Sequence, residues 1–278
     1  MTRPGLVTPA RITRFEDGAA REVDDELATE EPLEIRLRAG GETRSVAVTM
    51  RTPGNDFELA AGFLYSEGIV TSRDGVRAIS YCIDREVDAE QRYNIVNVDL
   101  NAAALPELER LERHFTVNSS CGVCGKATID ALQTRADPIA DDLRVTFATI
   151  AALSERMRAA QRVFSSTGGL HASALFDARG ELIVLREDVG RHNALDKLAG
   201  WALMENKLPL RETILFVSGR ASYELVQKCI VARIPVLCAV SAPSSLAVDL
   251  AREFNVTLCG FVRGTRANVY SAPERVSE

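Results

Sequence analysis

Two cysteines separated by two residues are the feature of this chain best suited to chemistry. Cys121 and Cys124 lie in the segment Ser119-Ser-Cys-Gly-Val-Cys-Gly-Lys126, among small residues typical of an exposed loop. A thiol pair at this spacing can ligate a metal, exchange disulfides, or carry sulfur as a persulfide. The choice among these three chemistries determines the function that the sequence predicts.

Zinc ligation is the first possibility, and its ligand set is incomplete. A closed structural site needs a second paired motif, which the sequence lacks. His171 could complete a three-ligand catalytic site with Cys121 and Cys124, a set similar to that of the zinc-dependent nucleobase deaminases. Those enzymes need a Glu two residues after the His to move the proton, whereas Ser173 stands there in this chain. We therefore expect no metal, and a zinc-dependent deaminase is the least favoured alternative.

Disulfide exchange and sulfur carriage are the other two possibilities. A thioredoxin-like motif belongs to a small fold and holds aromatic or Pro residues, whereas Ser and Gly surround this pair. A sulfur carrier needs a nucleophilic thiolate in a flexible loop, and Gly122 and Gly125 supply that flexibility. Lys126, at the start of a predicted helix, would stabilise a thiolate. These residues favour sulfur carriage and leave disulfide exchange open.

Composition limits the cell compartment and the kinds of partner that the sequence predicts. The 278 residues carry a formal net charge of −6, which gives no general attraction to nucleic acid or to an anionic membrane. No apolar run reaches the ~20 residues of a membrane span, and no apolar stretch typical of a secretory signal begins the chain. Six cysteines are too few for a disulfide scaffold at this length. We therefore predict a cytoplasmic protein that binds neither nucleic acid nor membrane.

The remaining four cysteines have a simpler explanation. Cys82, Cys229, Cys238 and Cys259 each lie within an apolar stretch. Free cysteine is among the most frequently buried residue types. We predict that these four pack in the core or in strands, which leaves the CxxC pair as the reactive one.

The chain divides into four predicted regions, each marked by composition and periodicity. They are a flexible N-terminal arm (residues 1–30), an N-terminal α+β lobe (31–118), a mobile CxxC loop (119–125) and an α/β core that carries the binding loops (126–278).

Periodicity also predicts the elements within the lobe and the core. In the lobe we expect a hairpin over residues 33–50, a helix from the N-cap Asn55 to Gly68, and two strands within residues 76–100. In the core we expect a helix over 151–166 that ends at Gly168, then strands 172–177, 181–186, 213–218, 235–240 and 256–262 and helices 193–205, 221–232 and 245–254. This alternation predicts a mixed or parallel sheet covered by helices.

Polar loops adjoin several of the predicted core strands. In an open α/β sheet, ligands bind at the carboxyl ends of strands. Arg263 and Arg266 flank Gly264, so both guanidinium groups could face one phosphate or one guanine edge. The polar segments are residues 167–172 with His171, 186–193 with His192, 218–220, 241–245 and 261–266. Together they predict a site for a large anionic ligand. The alternatives are that the serines serve only as helix caps and that residues 261–266 form only a solvated basic loop.

Six short motifs stand in a fixed order along the chain. They are Phe57-Glu-Leu-Ala-Ala-Gly-Phe-Leu-Tyr-Ser-Glu-Gly-Ile69, Ser119-Ser-Cys-Gly-Val-Cys-Gly125, Thr167-Gly-Gly-Leu-His-Ala172, Glu187-Asp-Val-Gly-Arg-His-Asn-Ala-Leu-Asp-Lys197, Ser218-Gly-Arg220, and Gly260-Phe-Val-Arg-Gly-Thr-Arg266 followed by Asn268-Val-Tyr270. Each is modest alone, but the ordered set is specific. With these motifs the chain resembles the FdhD/NarQ family of formate dehydrogenase accessory proteins over nearly its whole length.

The resemblance implies a fold and a function. The implied fold is a cytidine deaminase-like, three-layer α/β core with a smaller N-terminal α+β lobe. The implied function is that of a sulfur carrier, which takes a persulfide from a cysteine desulfurase and passes the sulfur to the molybdenum cofactor before that cofactor enters formate dehydrogenase. The cofactor, bis(molybdopterin guanine dinucleotide), would be a bound client rather than a permanent group. Family members also form homodimers.

The resemblance further implies roles for individual residues. Cys121 matches the cysteine that bears the persulfide, and Cys124 matches the second cysteine of the pair. The segment matched to cofactor binding comprises Phe261, Val262, Arg263, Gly264, Thr265 and Arg266, and we expect Ser218, Gly219, Arg220 and His192 to contribute. Thr265 and Ala267 depart from residues common in relatives, but both arginines are intact. The alternative function is a non-catalytic cofactor chaperone whose cysteines only hold the ligand.

Overall fold

The structure is a computed structural model, and it describes residues 4–106 and 136–278. Cys121, Cys124 and the whole of the predicted loop 119–125 lie outside these ranges. Within them the chain forms six α-helices and fourteen β-strands. None of those helices has the length and apolar character needed to cross a membrane. The mixed α/β architecture confirms the predicted fold class.

An N-terminal hairpin occupies residues for which the sequence predicts a flexible arm. Strand β1 (Val7–Glu16) pairs antiparallel with β2 (Ala19–Ala28). The turn between them is Asp17-Gly18, and both residues have positive φ, 52° and 77°. Positive φ at both central residues matches the twist of a two-residue hairpin. The structure therefore has a hairpin where the sequence predicts a flexible arm. The two strands bury little apolar area, so their composition does not indicate strands, but the Asp-Gly turn pairs them.

The N-terminal lobe is a four-stranded sheet covered by one helix. Its elements are β3 (Glu31–Ala39), β4 (Glu42–Arg51), α1 (Asp56–Ser66), β5 (Val76–Tyr81) and β6 (Ile95–Leu100), with strand order β4-β3-β6-β5. All of the elements predicted within residues 33–100 are present. Asn55 holds the predicted N-cap position, but its backbone is left-handed (φ 56°) and its side chain makes no capping hydrogen bond.

The core elements follow the predicted alternation closely. They are β7 (Val145–Thr146), α2 (Phe147–Ala160), α3 (Arg162–Thr167), β8 (His171–Asp177), β9 (Leu182–Asp188), α4 (Arg191–Met204), β10 (Thr213–Val217), α5 (Tyr223–Val231), β11 (Val236–Ala239), α6 (Ser245–Glu253), β12 (Thr257–Arg263), β13 (Arg266–Ser271) and β14 (Val276–Ser277). A six-stranded sheet has the order β13-β12-β11-β10-β8-β9. Strands β10, β11 and β12 are parallel, and the other three run antiparallel to their neighbours. Strands β7, β13 and β14 are not predicted from periodicity.

The six-stranded sheet is buried on both faces. On one face, Phe176 and Phe216 pack against α2. On the other, Leu175 and Leu215 pack against α4, α5 and α6. Adjacent strand residues point to opposite sides, so strands that are apolar throughout require cover on both faces. The core thus has three layers, whereas its likeness to a cytidine deaminase fold stays a prediction.

The predicted helix over 151–166 is interrupted at one residue. Gln161 has an extended backbone (φ −75°, ψ 95°) and separates α2 from α3. The Glu187 carboxylate accepts hydrogen bonds from the backbone N–H groups of Val163 (3.1 Å) and Phe164 (2.8 Å). These bonds satisfy the free donors at the start of α3, so a second helix can begin there. Gly168 ends α3 with φ 66°, as predicted.

Helices α1 and α4 join the two lobes through a close backbone contact. A Cβ atom on Gly62 would overlap the carbonyl oxygen of Asp196, and one on Gly200 would overlap that of Glu58. The two glycines therefore allow the helix backbones to touch. Their place in the Phe57–Ile69 motif and just beyond Lys197 gives both segments a structural role.

Replacement of Gly200 by alanine should destabilise the protein by about 1–3 kcal/mol, because the helices must separate to admit the methyl group. Urea unfolding of the variant and of the wild type measures the change. Gly75→Ala is the matched control, since a Cβ there would stand 3.4 Å from the Val70 side chain in ordinary contact. Equal stabilities of Gly200→Ala and wild type would contradict the close helix contact.

Candidate functional site

The polar segments predicted from sequence meet at one edge of the six-stranded sheet. Strands β10, β11 and β12 all end at this edge because they are parallel. Strand β8 begins there, since it runs antiparallel to β10, and His171 at its start pairs with Asp188 at the end of β9. The loops that follow β9 and β10 therefore lie beside His171. The topology thus brings the predicted binding segments together.

Hydrogen bonds from backbone N–H groups connect neighbouring loops along this edge. Ser218 Oγ accepts from the N–H of Ala172 (2.9 Å), which fixes the loop after β10 to the start of β8. The N–H of Ser241 donates to the Gly219 carbonyl (3.3 Å), and the N–H of Phe261 donates to the Ser241 carbonyl (3.2 Å). The edge is therefore one connected surface that runs from β8 to β12.

Two predicted serine segments are partly engaged in structural roles. The Ser244 side chain accepts from the N–H of Ala247 (3.3 Å) and caps α6. Helix α5 begins only at Tyr223, so Ser218-Gly219-Arg220 forms the loop before the helix rather than its first turn. For Ser244 the capping alternative is correct.

The two arginines of the last motif stand opposite each other in a β-hairpin. Arg263 in β12 and Arg266 in β13 are register partners, and Gly264 turns the chain between them with φ 52°. Directly paired residues of an antiparallel hairpin project from the same face. The Arg263 Nε donates to the Val240 carbonyl (3.2 Å), which ties its side chain to the loop after β11. Both guanidinium groups can thus face one anion.

Two other residues of this segment differ in their surroundings. Phe261 is 37% exposed and has a left-handed backbone (φ 54°), an uncommon conformation for an aromatic residue. Such strain concentrates at binding sites and functional sites. The Val262 side chain is buried against the sheet, so only its peptide group is available to a ligand.

His192, in the first turn of α4, lies beside the loop that follows β10. Its Nε2 is 3.4 Å from Ser222 Oγ and 3.6 Å from Glu224 Oε2. The neighbouring His192 side chain lowers the pKa of Glu224 to about 2, below its ordinary value of 4.5. The carboxylate is therefore charged at neutral pH and lies beside the imidazole.

The pH dependence of stability should reveal the contribution of Glu224. Its folded pKa is depressed, so its contribution is complete above pH 4.5 and is lost as pH falls toward about 2. Because the pair is half-exposed, we expect a small effect, about 0.2–1 kcal/mol. Urea unfolding at about pH 5.5 and about pH 3 should show a smaller loss for Glu224→Gln than for wild type. An equal loss in both proteins would contradict the contribution of this carboxylate.

His171 lies beside a cavity at the same edge. Burial lowers the pKa of His171, and the charges of Arg191 and His192 lower it further. The imidazole is therefore neutral at neutral pH and can donate or accept one hydrogen bond. The cavity has a volume of about 450 Å³ and lies between the end of α2 and the loop after β10. Its polar lining includes Ser154, Arg158, Gln161, His171 and Ser218.

Two residues of the motif Glu187–Lys197 are buried and support the candidate site without lying on its surface. Lys197 Nζ lies 2.7 Å from Asp188 Oδ2, and both side chains are buried. Asp188 also accepts from the N–H of Thr52 (3.2 Å) in the N-terminal lobe, and from Asn193 Nδ2 (3.0 Å). This buried pair fixes the start of α4, and so the position of His192, against the other lobe.

Sequence reasoning missed Arg158, Gln161 and Phe164 of the cavity wall. The helix interruption at Gln161 could have indicated these residues. The apolar residues of 151–166 follow one helical period across it, however, so the sequence does not show the interruption. Among residues 4–106 and 136–278, no three His, Cys, Asp or Glu side chains are grouped to hold a metal.

Comparison with known proteins gives consistent matches over the whole chain. The sequence model of the FdhD/NarQ family matches residues 28–277. The chain is 53% identical over 278 residues to the sulfur carrier protein FdhD of Streptomyces avermitilis, covering 98% of this chain and 97% of that protein. It is 48% identical over 253 residues to the sulfur carrier protein FdhD of Sulfurisphaera tokodaii, covering 91% and 92%.

A solved structure is similar as well. The crystal structure of a candidate formate dehydrogenase accessory protein from Desulfotalea psychrophila superposes with a TM-score of 0.75 at 26% identity. The match covers 98% of this chain and 100% of that one. The structural match therefore includes both the N-terminal lobe and the core of this chain.

Proposed function

Because the chain belongs to the FdhD/NarQ family, we propose that it is a sulfur carrier protein that serves the maturation of formate dehydrogenase. The observation that carries this proposal is the 53% identity to a named sulfur carrier over 98% of the chain. The CxxC pair supplies the chemistry, and the arginine-bearing sheet edge supplies a surface for an anionic client.

The proposed reaction begins at Cys121. Its thiolate attacks the outer sulfur of a cysteine persulfide on a desulfurase, the S–S bond breaks, and the donor cysteine leaves as a thiolate. Cys121 then carries one additional sulfur. Cys124 assists its release: its thiolate attacks the Cys121 sulfur, the bond to the outer sulfur breaks, and that sulfur leaves as sulfide for the acceptor while a Cys121–Cys124 disulfide forms and supplies the two electrons. The acceptor is the molybdenum cofactor in its bis(molybdopterin guanine dinucleotide) form, bound as substrate before it enters formate dehydrogenase.

The proposed client surface is the carboxyl edge of the six-stranded sheet. Arg263 and Arg266 would face the phosphates, because guanidinium groups pair with phosphate oxygens through two parallel hydrogen bonds. Arg220 would add positive charge from the loop after β10, and the His192 imidazole would add a hydrogen-bonding group from the first turn of α4. We further propose a cytoplasmic homodimer, on the resemblance to the family.

Mass spectrometry tests the sulfur carrier directly. The purified protein is incubated with a cysteine desulfurase and cysteine, and the peptide containing Cys121 and Cys124 is analysed without reductant. A persulfide adds one sulfur, a mass increase of about 32 Da. Absence of that increase would contradict the proposal and favour a cofactor chaperone whose cysteines only hold the ligand.

Arg263→Ala should weaken binding of GDP, a fragment of the proposed client, by about 10- to 100-fold, the effect of losing one charged hydrogen bond. Isothermal titration calorimetry measures the affinity. Arg179→Ala is the matched control, since Arg179 is an exposed residue in the β8–β9 turn at the opposite edge of the sheet. Equal loss in both variants would indicate only a general charge effect and count against the proposed surface.

A further inference from the structure

A second cavity, here called the lobe cavity, lies where α1 and β5 of the N-terminal lobe meet the end of α4. It has a volume of about 190 Å³. Among the described residues, six apolar side chains line it: Phe57 and Ala61 of α1, Val76 and Ile79 of β5, and Leu203 and Met204 of α4. The other lining residue is Arg73, in the 3₁₀ turn before β5. The lobe cavity is therefore apolar except for one cation.

The size of the lobe cavity sets the size of a ligand. Protein interiors are close-packed, and few of their voids are larger than a water molecule. An apolar cavity of about 150 Å³ is large enough to bind benzene. Phe57, Ile79 and Met204 are only half-buried, so the lobe cavity is open to solvent. An apolar group of about six carbon atoms can therefore enter it.

Arg73 gives the wall of the lobe cavity its charge. Its Nη1 donates a hydrogen bond to the Val76 carbonyl oxygen, which holds the side chain beside the cavity. Within residues 4–106 and 136–278, no carboxylate forms an ion pair with Arg73. A guanidinium group has several N–H donors in one plane, so those not bound to Val76 are available to an anion.

The lining also indicates which anion is suitable. No Asp or Glu side chain lines the lobe cavity in the described part of the chain, so a negative charge meets no carboxylate there. One guanidinium group pairs with one carboxylate through two parallel hydrogen bonds. The apolar side chains of α1, β5 and α4 favour an uncharged, apolar group on the rest of the ligand.

We propose that the lobe cavity is a binding site for a small apolar group that carries a carboxylate. The apolar group lies between α1, β5 and α4, and the carboxylate pairs with Arg73. Two kinds of molecule share this chemistry. One is a free aliphatic acid, and the other is the apolar C-terminal residue of a polypeptide.

The lobe cavity is separate from the proposed client surface. Helix α4 carries His192 in its first turn, whereas Leu203 and Met204 lie in its last turn. At about 1.5 Å per residue, the two turns are roughly 18 Å apart along the helix. The proposal therefore does not rest on sulfur carriage or on the cofactor.

Ligand-observed NMR titration of the full chain with hexanoate and 1-hexanol tests the site. The two probes have the same number of carbon atoms, but only hexanoate has a carboxylate. We expect wild type to bind hexanoate with a Kd of about 1 mM or lower, as a ligand of this size allows. Hexanol should bind at least about tenfold more weakly, because it makes no charged hydrogen bonds to Arg73. In Arg73→Gln the advantage of hexanoate should disappear.

Two further variants make the test specific. Arg77→Gln is the matched control, since the Arg77 side chain in β5 is 68% exposed and does not line the lobe cavity. It should keep the wild-type preference for hexanoate. Ile79→Trp places a larger side chain in the cavity and should bind neither probe. Arg73→Gln changes no buried residue, so the test of the carboxylate does not depend on the folding of Ile79→Trp.

The peptide acetyl-glycyl-glycyl-leucine and its C-terminal amide distinguish the two sources of the carboxylate. Tighter binding of the peptide acid than of hexanoate, with loss of affinity in the amide, assigns a polypeptide C-terminus. Tighter binding of hexanoate assigns a free acid, and either result supports the site.

Three results would overturn the site. They are binding of neither carboxylate, equal affinity of hexanoate and hexanol, and an unchanged preference in Arg73→Gln. GDP affinity and sulfur loading are measured separately, so failure of the lobe cavity is distinguishable from failure of the proposed function.

Discussion

Cys121→Ala is expected to lower the rate of sulfur transfer to the acceptor by roughly a thousandfold or more, because the variant lacks the nucleophile that forms the covalent intermediate. The sulfur adduct should also disappear from the peptide that spans residues 119–126. Transfer is measured as formate dehydrogenase activity recovered after incubation with desulfurase, cysteine, cofactor and the variant.

Two further variants make this result specific. Cys124→Ala should still load sulfur, with slower release, because its proposed role is to assist the second step. Cys82→Ala is the matched control, since Cys82 is a buried thiol outside the motif, and it should load normally. Loading of Cys121→Ala at the wild-type level would refute Cys121 as the carrier. If Cys121→Ala bound the cofactor more weakly but still supported sulfur transfer, the result would favour the chaperone alternative.

The burial of the other thiols makes such an experiment interpretable. Cys82, Cys229, Cys238 and Cys259 are all buried, as predicted from their apolar neighbours. Burial raises the pKa of Cys229. A hydrogen bond with Cys259, together with burial, raises that of Cys238. Thiols with a raised pKa are poor nucleophiles, so no sulfur adduct is expected at Cys229 and Cys238. At Cys82 and Cys259, burial keeps a donor protein from reaching the sulfur.

The meeting of the polar loops at one edge of the sheet could be predicted from sequence because it depends on local signals. Each core strand is a short apolar run, and each polar loop follows directly in the chain. Once the strands alternate with helices, the rule that ligands bind at carboxyl ends is enough to bring Ser218 and Arg263 to one edge. The prediction needs no knowledge of which strand lies beside which.

The cavity wall could not be predicted, because it depends on contacts distant in sequence. Within residues 4–106 and 136–278, Gln161 Nε2 is buried without a hydrogen-bond partner, at the position where the helix is interrupted. That interruption depends on Glu187, which binds the start of α3 from the end of β9. Likewise, the sequence shows Asp188 and Lys197 as members of one polar motif. Only the packing of two lobes shows that they are buried together.

Lys197→Met should cost about 3–5 kcal/mol of folding free energy, because it leaves the Asp188 carboxylate buried without its cation. Lys197 Nζ contacts Asp188 Oδ2 at 2.7 Å, and the side chains are 2% and 0% exposed. Lys197 also donates to the Thr52 carbonyl (2.8 Å), so the N-terminal lobe loses a second contact. Urea unfolding at neutral pH measures the loss.

The exposed pair Arg11–Glu22 is the matched control, since its side chains are both 69% exposed. Arg11→Met should cost no more than about 1 kcal/mol, because water screens the pair. The double variant Asp188→Asn with Lys197→Met should recover part of the loss, since no charge is left buried. A cost for Lys197→Met as small as that of Arg11→Met would contradict the buried pair.

Lys197→Met should also change ligand binding at the proposed client surface. Asp188 holds the start of α4 through its bonds to the N–H of Gly190 (2.8 Å) and to Asn193 Nδ2 (3.0 Å), and His192 lies between those two residues. If Lys197 fixes Asp188, folded Lys197→Met should bind GDP more weakly than wild type, although the Lys197 side chain is buried and not part of the proposed client surface. Unchanged affinity in the folded variant would show that the pair contributes to stability alone. A joint loss would show that stability and client binding depend on the same buried contact between the lobes.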